Sequence, residues 1–300
     1  MPSNPRPNLF IVGSMKSGTT SLSAYLNTHP SIFMTADPKE PTYFLEREQI
    51  LDVLPGVEQR GFWRGERYYL ELFAKAEGMP IIGEASANYA RLHRVKGVPE
   101  RVAKFNPEAR IVFIMRDPVE RTISHYWYMV QHFDERRGMF KAIREDPDFV
   151  DTSNYAMQLR PYLKLFGAEH VKVLTTEALR DHPQEVMHDL FRWLGVDASF
   201  NPPNLTERFG ATPAAVQKVR GLGLIHRFRY SRFWNAVGSH IPPSVRGLGR
   251  ALSERRVERK DVDTSAVNAY LRLLQRAQCD ELRALLGRDF PEWRVLYSDD

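Results

Sequence analysis

The sequence predicts a three-layer α/β fold, P-loop-like, in which a central, mostly parallel sheet is flanked by helices. Three observations predict it. Short apolar, β-rich runs alternate along the chain with segments of helical period. The first run, Leu9 to Val12, leads into two glycines with G-x-x-x-x-G spacing, Gly13 and Gly18, at the start of a helical pattern. The 300 residues, 43% of them apolar, can also bury a sizeable core.

The strands expected from these runs are Leu9–Gly13, Pro80–Gly83, Arg110–Met115 and Val171–Thr175. Between them, helices are expected at Gly18–Asn27, Arg67–Glu77, Pro118–His132, Tyr155–Phe166 and Pro183–Leu194. In the last of these, Val186, Leu190 and Leu194 fall four apart on one face, and Gly195 follows as a stop signal. Strands alternating with helices are the signature of a parallel sheet wrapped on both sides. Near the end, Val267, Leu271, Leu274, Leu282 and Leu285 form one more helical stripe, closed by Gly287.

Residues 201–250 differ. Glycines and prolines punctuate a basic, aromatic stretch with little periodicity, which reads as a variable lobe on the α/β unit. The expected organisation is a single domain, 1–300: a core at 8–197, a basic C-terminal lobe at 198–262 and a terminal helix at 263–288. The net charge of +5 conceals this lobe. Between Lys218 and Lys260 there are eleven Lys and Arg against Glu254 and Glu258, or +9, which leaves 5 − 9 = −4 for the remainder. The basic character therefore belongs to one surface.

One cysteine, Cys279, excludes an internal disulfide or a cysteine-rich metal site. No signal-peptide pattern opens the chain, and no run approaches the roughly 18 apolar residues of a membrane span. A soluble, cytoplasmic protein is the expectation.

The stretch LFIVGSMKSGTTSLSAYL, residues 9–26, places its two glycines between a strand and a helix. Backbone N–H groups of Ser17 to Thr20, at the helix N-terminus, would face an anion. A strand-to-helix turn can carry glycines without binding anything, but spacing and context together favour a phosphate cradle. A nucleoside-triphosphate enzyme would follow the second glycine with Lys-Ser or Lys-Thr. Here Thr19 and Thr20 follow Gly18, and the lysine sits inside the loop as Lys16. A donor ending in a sulfuryl group carries less terminal charge than ATP, so transfer without a metal becomes feasible. Lys16 could then stabilise the oxygen that leaves sulfur.

These residues resemble the 5′-phosphosulfate loop of sulfotransferases that use 3′-phosphoadenosine-5′-phosphosulfate (PAPS), in the carbohydrate-acting branch with the heparan sulfate enzymes and many bacterial members. RIVFIMRDPVERTISHY, 110–126, is similar to that family's 3′-phosphate motif: a strand, Arg-Asp-Pro, then a helix with serine eight residues after the arginine. PKEPTYF (38–44), GEASANY (83–89), VPERVAKFNPEARI (98–111), NYAMQLRPYLKLFG (154–167) and EALRDHPQEVMHDLFRWLGV (177–196) also fall in family order. The resemblance covers most of residues 8–197. It implies PAPS as donor, 3′-phosphoadenosine-5′-phosphate (PAP) as product and no metal. Lys16, Ser17, Gly18, Thr19, Thr20 and Ser21 would hold the 5′ side, and Arg116 with Ser124 the 3′-phosphate.

Other readings of the second pair exist. Arg116 could ion-pair with Asp117 or Glu120, Ser124 could be an exposed helix position, and Arg121 reads as a solvated partner of Glu120 or Asp117. A hydroxyl acceptor also needs a general base. The candidates are Glu40, Glu84 and a histidine. Glu40 with Tyr43–Phe44 matches the family's Glu-x-x-Tyr-Phe spacing, so it is the residue implied, although a surface pair with Lys39 would also account for it. His29 reads as a turn cap after the first helix, and His125 as facing away from the Ser124 side.

The chain also departs from its family. Ala85 stands where heparan-type relatives often carry lysine, and Thr42 where some carry histidine. The heparan enzymes' C-terminal cysteine pair and basic glycine loop have no clear counterpart, leaving Lys218 and Arg220 as candidates to replace that loop at the donor. The acceptor is a glycan or small-molecule hydroxyl, with no nucleic-acid or membrane partner expected and with oligomeric state open. Residues 201–250 could form either a donor lid or an acceptor surface. Two rival readings remain at this level: a P-loop-type kinase and a non-enzymatic polyanion-binding protein.

Overall fold

The computed structural model describes residues 5–46, 48–49, 65–210, 213–219 and 254–298. Five strands form one parallel sheet: β1 (Leu9–Gly13), β2 (Ile32–Met34), β3 (Ile81–Ala85), β4 (Arg110–Met115) and β5 (Val171–Thr175), in the order β2-β3-β1-β4-β5. Parallel strands need crossovers, which the helices supply. These are α1 (Thr19–Leu26), α2 (Glu66–Glu71), α3 (Val98–Phe105), α4 (Pro118–His132), α5 (Met139–Glu145), α6 (Asp148–Asp151) and α7 (Tyr155–Phe166), while α8 (Thr176–Asp181) and α9 (Pro183–Leu194) follow β5.

Side chains two apart on a strand share a face, and both faces of this sheet are covered. Phe10, Val12, Ile111, Phe113 and Met115 pack on one side with α3, α4 and α7. Leu9, Ile11, Val112 and Ile114 pack on the other with α1, α8 and α9. Three layers follow from that alternation. After the crossovers, β6 (Ala215–Val219) and β7 (Glu254–Glu258) pair antiparallel, with Lys218 opposite Arg255. The long helix α10 (Ser265–Leu286) and the short α11 (Arg294–Tyr297) then pack back on α4.

β1, β4, β5, α4, α7 and α9 have the bounds the sequence predicts. The expected helix at 67–77 is shorter: α2 stops at Glu71, and a separate tight turn at Ala74–Ala76 precedes Gly78, whose φ is 80°. β2 was not foreseen, since three residues carry no period of their own. The middle of the expected basic lobe, 220–253, lies outside the described residues.

α4 shows how the Arg-Asp-Pro run works locally. Pro118 takes the first helical position, where a missing N–H costs nothing, and Asp117 is the cap. Asp117 Oδ1 accepts the N–H groups of Val119 (3.0 Å) and Glu120 (3.3 Å), while its Oδ2 accepts that of Leu296 (2.9 Å). One buried carboxylate thus caps α4 and docks the C-terminal segment on it.

Candidate active site

β1 and β4 are hydrogen-bonded neighbours, with Gly13 opposite Phe113, so the loops leaving their carboxyl ends share one crevice. Gly13 has to be small, because a Cβ there would lie 2.4 Å from that of Ala90 in the 87–90 turn. The loop beyond it is tied from inside. Ser14 N–H donates to Ile114 O (2.7 Å), Ser17 N–H donates to Ser14 O (3.2 Å), and the Ser14 and Ser17 hydroxyls lie 2.7 Å apart. The Thr176 hydroxyl reaches both Ser17 O (2.6 Å) and Met115 O (2.9 Å), stitching the loop to the end of β4.

Gly18 then turns the chain into α1 with φ 91°, a left-handed conformation that favours glycine. No side chain caps α1. The first-turn N–H groups of a helix lack intrahelical acceptors, and Gly18, Thr19, Thr20 and Ser21 line a cleft of about 1030 Å³. Ser17 is placed differently from the others: it is fully buried, and its N–H is used inside the loop. The Ser21 hydroxyl bridges to Phe209, accepting its N–H (3.0 Å) and lying 3.3 Å from its carbonyl. Tyr25 Oη donates to Glu207 O (2.6 Å), so residues 207–209 are strapped along α1 beside the loop.

Lys16 lines the cleft with φ 69°, its ammonium 4.9 Å from the centre of the Tyr128 ring. Burial, followed by the charges of Lys39, Arg116 and Arg259, pulls its pKa down to about 8. Arg180 and Arg208 line the same cleft, and the facing acids are Glu40 and Glu177. Such an excess of cations, with open helix N–H groups, fits a ligand carrying several anionic oxygens.

Arg116 and Ser124 both line this cleft. Ser124 is buried on α4, and Arg116 is held in a two-nitrogen contact with Glu120 Oε2, at 2.7 and 3.1 Å. The ion pair weighed from the sequence therefore forms, and it presents the guanidinium at the cleft wall. Arg121 requires a correction. It is no solvated partner of Glu120 or Asp117: it is fully buried and donates to the Ser153 hydroxyl (2.5 Å) and the Phe149 carbonyl. Arg121 lies on the face of α4 that packs on α6, whereas Arg116 precedes the helix and faces the cleft. His125 is buried against Phe149 and Arg121, away from the cleft, and His29 accepts Ser31 N–H as a turn cap.

The two glutamates are separated by their surroundings. Glu84 is fully buried, accepting hydroxyl hydrogens from Tyr69 (2.6 Å), Ser86 (2.7 Å) and Tyr89 (3.1 Å). Burial raises its pKa to about 7 against those hydrogen bonds, and it does not line the cleft. Glu40 does, with a side chain 20% exposed, Lys39 Nζ at 3.8 Å and Asn88 Nδ2 at 3.4 Å. The surface pair with Lys39 is thus present as a loose contact, while Lys39 itself donates to Thr20 Oγ1 (2.5 Å).

Sequence reading did not single out Arg259, Glu177 or Thr176, which line the cleft. Arg259, just past β7, reaches the cleft close enough to Arg116 for that charge, after burial, to lower its pKa. Lys218 lies on β6, whose partner strand precedes Arg259, and Arg220 falls outside the described residues. Glu177, pushed up to about 7 by burial, accepts the Asp117 N–H (2.9 Å) behind Arg116, and Thr176 ties the loop as described. The signal for Arg259 was the charge excess of 218–260, but a strand pair that brings one member inward leaves no periodic trace. Among the described residues no cluster of three His, Cys, Asp or Glu could hold a metal ion, and no helix is long and apolar enough to cross a membrane.

The family model of the sulfotransferase domain matches residues 6–209, from before β1 to the strap on α1. The chain belongs to the sulfotransferase domain family. A crystal structure of a sulfotransferase from Alicyclobacillus acidocaldarius superposes with a TM-score of 0.65 at 26% identity, over 97% of this chain and 99% of that one. The mouse bifunctional heparan sulfate N-deacetylase/N-sulfotransferase 4 is 26% identical over 211 residues, covering 65% of this chain and 23% of its own length. The membrane-associated sulfotransferase kil1 of Dictyostelium discoideum is 30% identical over 152 residues, or 49% of this chain and 29% of its own. The chain spans about a quarter of the length of these curated relatives. Family membership sets aside both the kinase and the polyanion-binding alternatives and agrees with the P-loop-like fold read from the sequence.

Proposed function

We propose that this sulfotransferase moves a sulfuryl group from PAPS, in line, to a hydroxyl of a carbohydrate or small-molecule metabolite, and that it works in the cytoplasm. One observation carries the reading: the glycine loop, the end of β4 and Glu40 meet in a single cation-lined cleft. The bound donor supplies a good leaving group, since its sulfuryl sulfur is joined through one oxygen to a phosphate.

This chain's residues do the rest. The open N–H groups of α1 and the Lys16 ammonium take up charge on the 5′ phosphate and on the oxygen that leaves sulfur. That is where electrostatic stabilisation lowers the barrier. Arg116 and Ser124 hold the 3′-phosphate, with Arg259 in support from β7. Glu40, in the same cleft, takes the acceptor's proton as the oxygen attacks. Sugar hydroxyls suit the polar rim that Asn88, Gln131 and His132 add around Glu40 and Tyr128.

The test is PAPS turnover against a panel of sugar and phenolic hydroxyl acceptors, in wild type and Glu40→Gln. General-base loss typically costs about 10²–10⁴ in rate. Turnover should fall by that order while PAP affinity and melting temperature stay near wild type. A Glu40→Gln enzyme that keeps more than half the wild-type rate removes Glu40 from the mechanism.

A further inference from the structure

The carboxylate of Glu40 accepts a single hydrogen bond among the described residues, from Asn88 Nδ2 at 3.4 Å. Lys39, at 3.8 Å, is an ion pair whose ammonium is hydrogen-bonded elsewhere. What holds Asn88 is a buried chain of groups with fixed donor and acceptor roles. Arg91 Nη1 donates to Asn88 Oδ1 (3.1 Å), and Arg91 Nη2 donates to Asp148 Oδ2 (2.5 Å). A guanidinium only donates and a carboxylate only accepts, so the Asn88 amide has one orientation that satisfies both neighbours, with its NH₂ toward Glu40.

The far end is fixed in the same way. Leu92 N–H donates to Gln158 Oε1 (2.7 Å), which leaves Gln158 Nε2 to donate to His93 Nδ1 (3.1 Å). His93 therefore carries its proton on Nε2 and donates to Asp148 Oδ1 (2.6 Å). Asn88, Arg91 and Asp148 are all more than nine-tenths buried, and Asn88 sits in the turn that Gly13 admits against the end of β1.

We propose that Asn88 is a positioning residue for Glu40, held in register by the Arg91–Asp148 pair, so that the carboxylate keeps one oxygen bound and the other aimed at the acceptor. The proposal rests on the reading of Glu40 as base. Other charged groups act on the same members. Lys39 and Lys16 face Glu40 from the cleft and Glu84 from β3, while Arg94 (3.6 Å) and His125 (4.0 Å) face Asp148. None of these contacts supplies a directed hydrogen bond to Glu40.

The experiment needs no acceptor. The whole protein, carbon-13 labelled at glutamate Cδ and saturated with PAP, is observed by NMR at one fixed pH, and Glu40 is identified as the resonance lost in Glu40→Gln. Loss of the Asn88 donor changes what the carboxylate is bonded to, so in Asn88→Leu the Glu40 Cδ resonance should shift by more than that of any other glutamate. Asn88→Asp keeps the size and the bond from Arg91 but has no N–H to offer Glu40, and there the Glu40 resonance should move as well. PAP affinity and melting temperature report whether each variant is folded, and Asn88→Asp decides if the leucine variant is not.

A Glu40 resonance that moves in neither variant overturns the relay even if Glu40→Gln is inactive. Wild-type turnover in Glu40→Gln instead overturns the base reading, and with it the reason for positioning.

Discussion

The loop at Gly13–Gly18 is held by contacts among five or so successive residues and by the ends of adjacent strands. Glu40, in the same cleft, is held by Asn88, then Arg91, then Asp148, residues separated by up to 108 positions in sequence and joined only by the fold. The loop offers backbone N–H groups and one partly desolvated cation; the Glu40 wall offers a side chain whose aim depends on other side chains. The first arrangement tolerates change in its neighbours because the backbone carries it. The second should fail when any buried member is removed. Binding and stability then separate: the donor side is costly to the fold, and the acceptor side depends on it.

The largest effect expected from this contrast is on stability. Burial alone would raise the Asp148 carboxyl, yet the hydrogen bond from His93 and the charge of Arg91 hold it well below the usual carboxylate range. Its ionised form is therefore favoured in the folded state. That contribution is present above the unfolded pKa, near 3.8, and is lost as pH falls below it. Breaking a buried pair from one side leaves an uncompensated charge, so Asp148→Ala should cost about 3–5 kcal/mol in urea denaturation at neutral pH. The difference from wild type should shrink in acid. A loss under about 1 kcal/mol would mean Arg91 finds another partner or solvent, as exposed pairs do.

On the donor side the expected change is smaller and opposite in sign. Lys16 is desolvated and sits among cations, which lowers its pKa to about 8. Between about 8 and 10.5 the unfolded chain binds more protons than the folded one, so the buried ammonium penalises folding at neutral pH, and the penalty fades as pH rises. Lys16→Met should therefore raise neutral-pH stability by about 1–3 kcal/mol while weakening PAP binding. A melting temperature below wild type would show that Lys16 is structural, held by more than its place over Tyr128.

The same contrast explains what could be read in advance. β1, α1, β4 and α4 are local: apolar runs, a glycine turn, and an Asp-Pro cap specify them within a dozen residues each. Arg116 and Ser124 were singled out because one such unit, a strand, Arg-Asp-Pro and a helix, resembles the family's 3′-phosphate motif, and both line the cleft. Arg121 was misread, because its inward turn depends on Ser153 and Phe149 from the α6 region. The resemblance implied Glu40 rather than Glu84 through its Glu-x-x-Tyr-Phe spacing, but the different surroundings of the two were closed to sequence. They are made by three hydroxyls from Tyr69, Ser86 and Tyr89 enclosing one carboxylate, and by the 87–90 turn leaving the other in the cleft. Arg259 arrives beside an antiparallel strand pair whose two members are separated by 34 residues in sequence, a distance no local pattern spans.

The central claim is that this cleft is built for a nucleotide with a 3′-phosphate, read by Arg116 at the end of β4. Calorimetry of PAP and ADP with a chelator present tests it, using wild type and Arg116→Ala. PAP should bind wild type without magnesium and more tightly than ADP. Arg116→Ala should lose about 1.5–3 kcal/mol of PAP affinity, the scale of a hydrogen bond to a charged group, and leave ADP nearly unchanged. Equal affinity of wild type for the two nucleotides, or PAP binding unaffected in a folded Arg116→Ala, would contradict the account and leave Arg116 as the ion-pair partner of Glu120 alone.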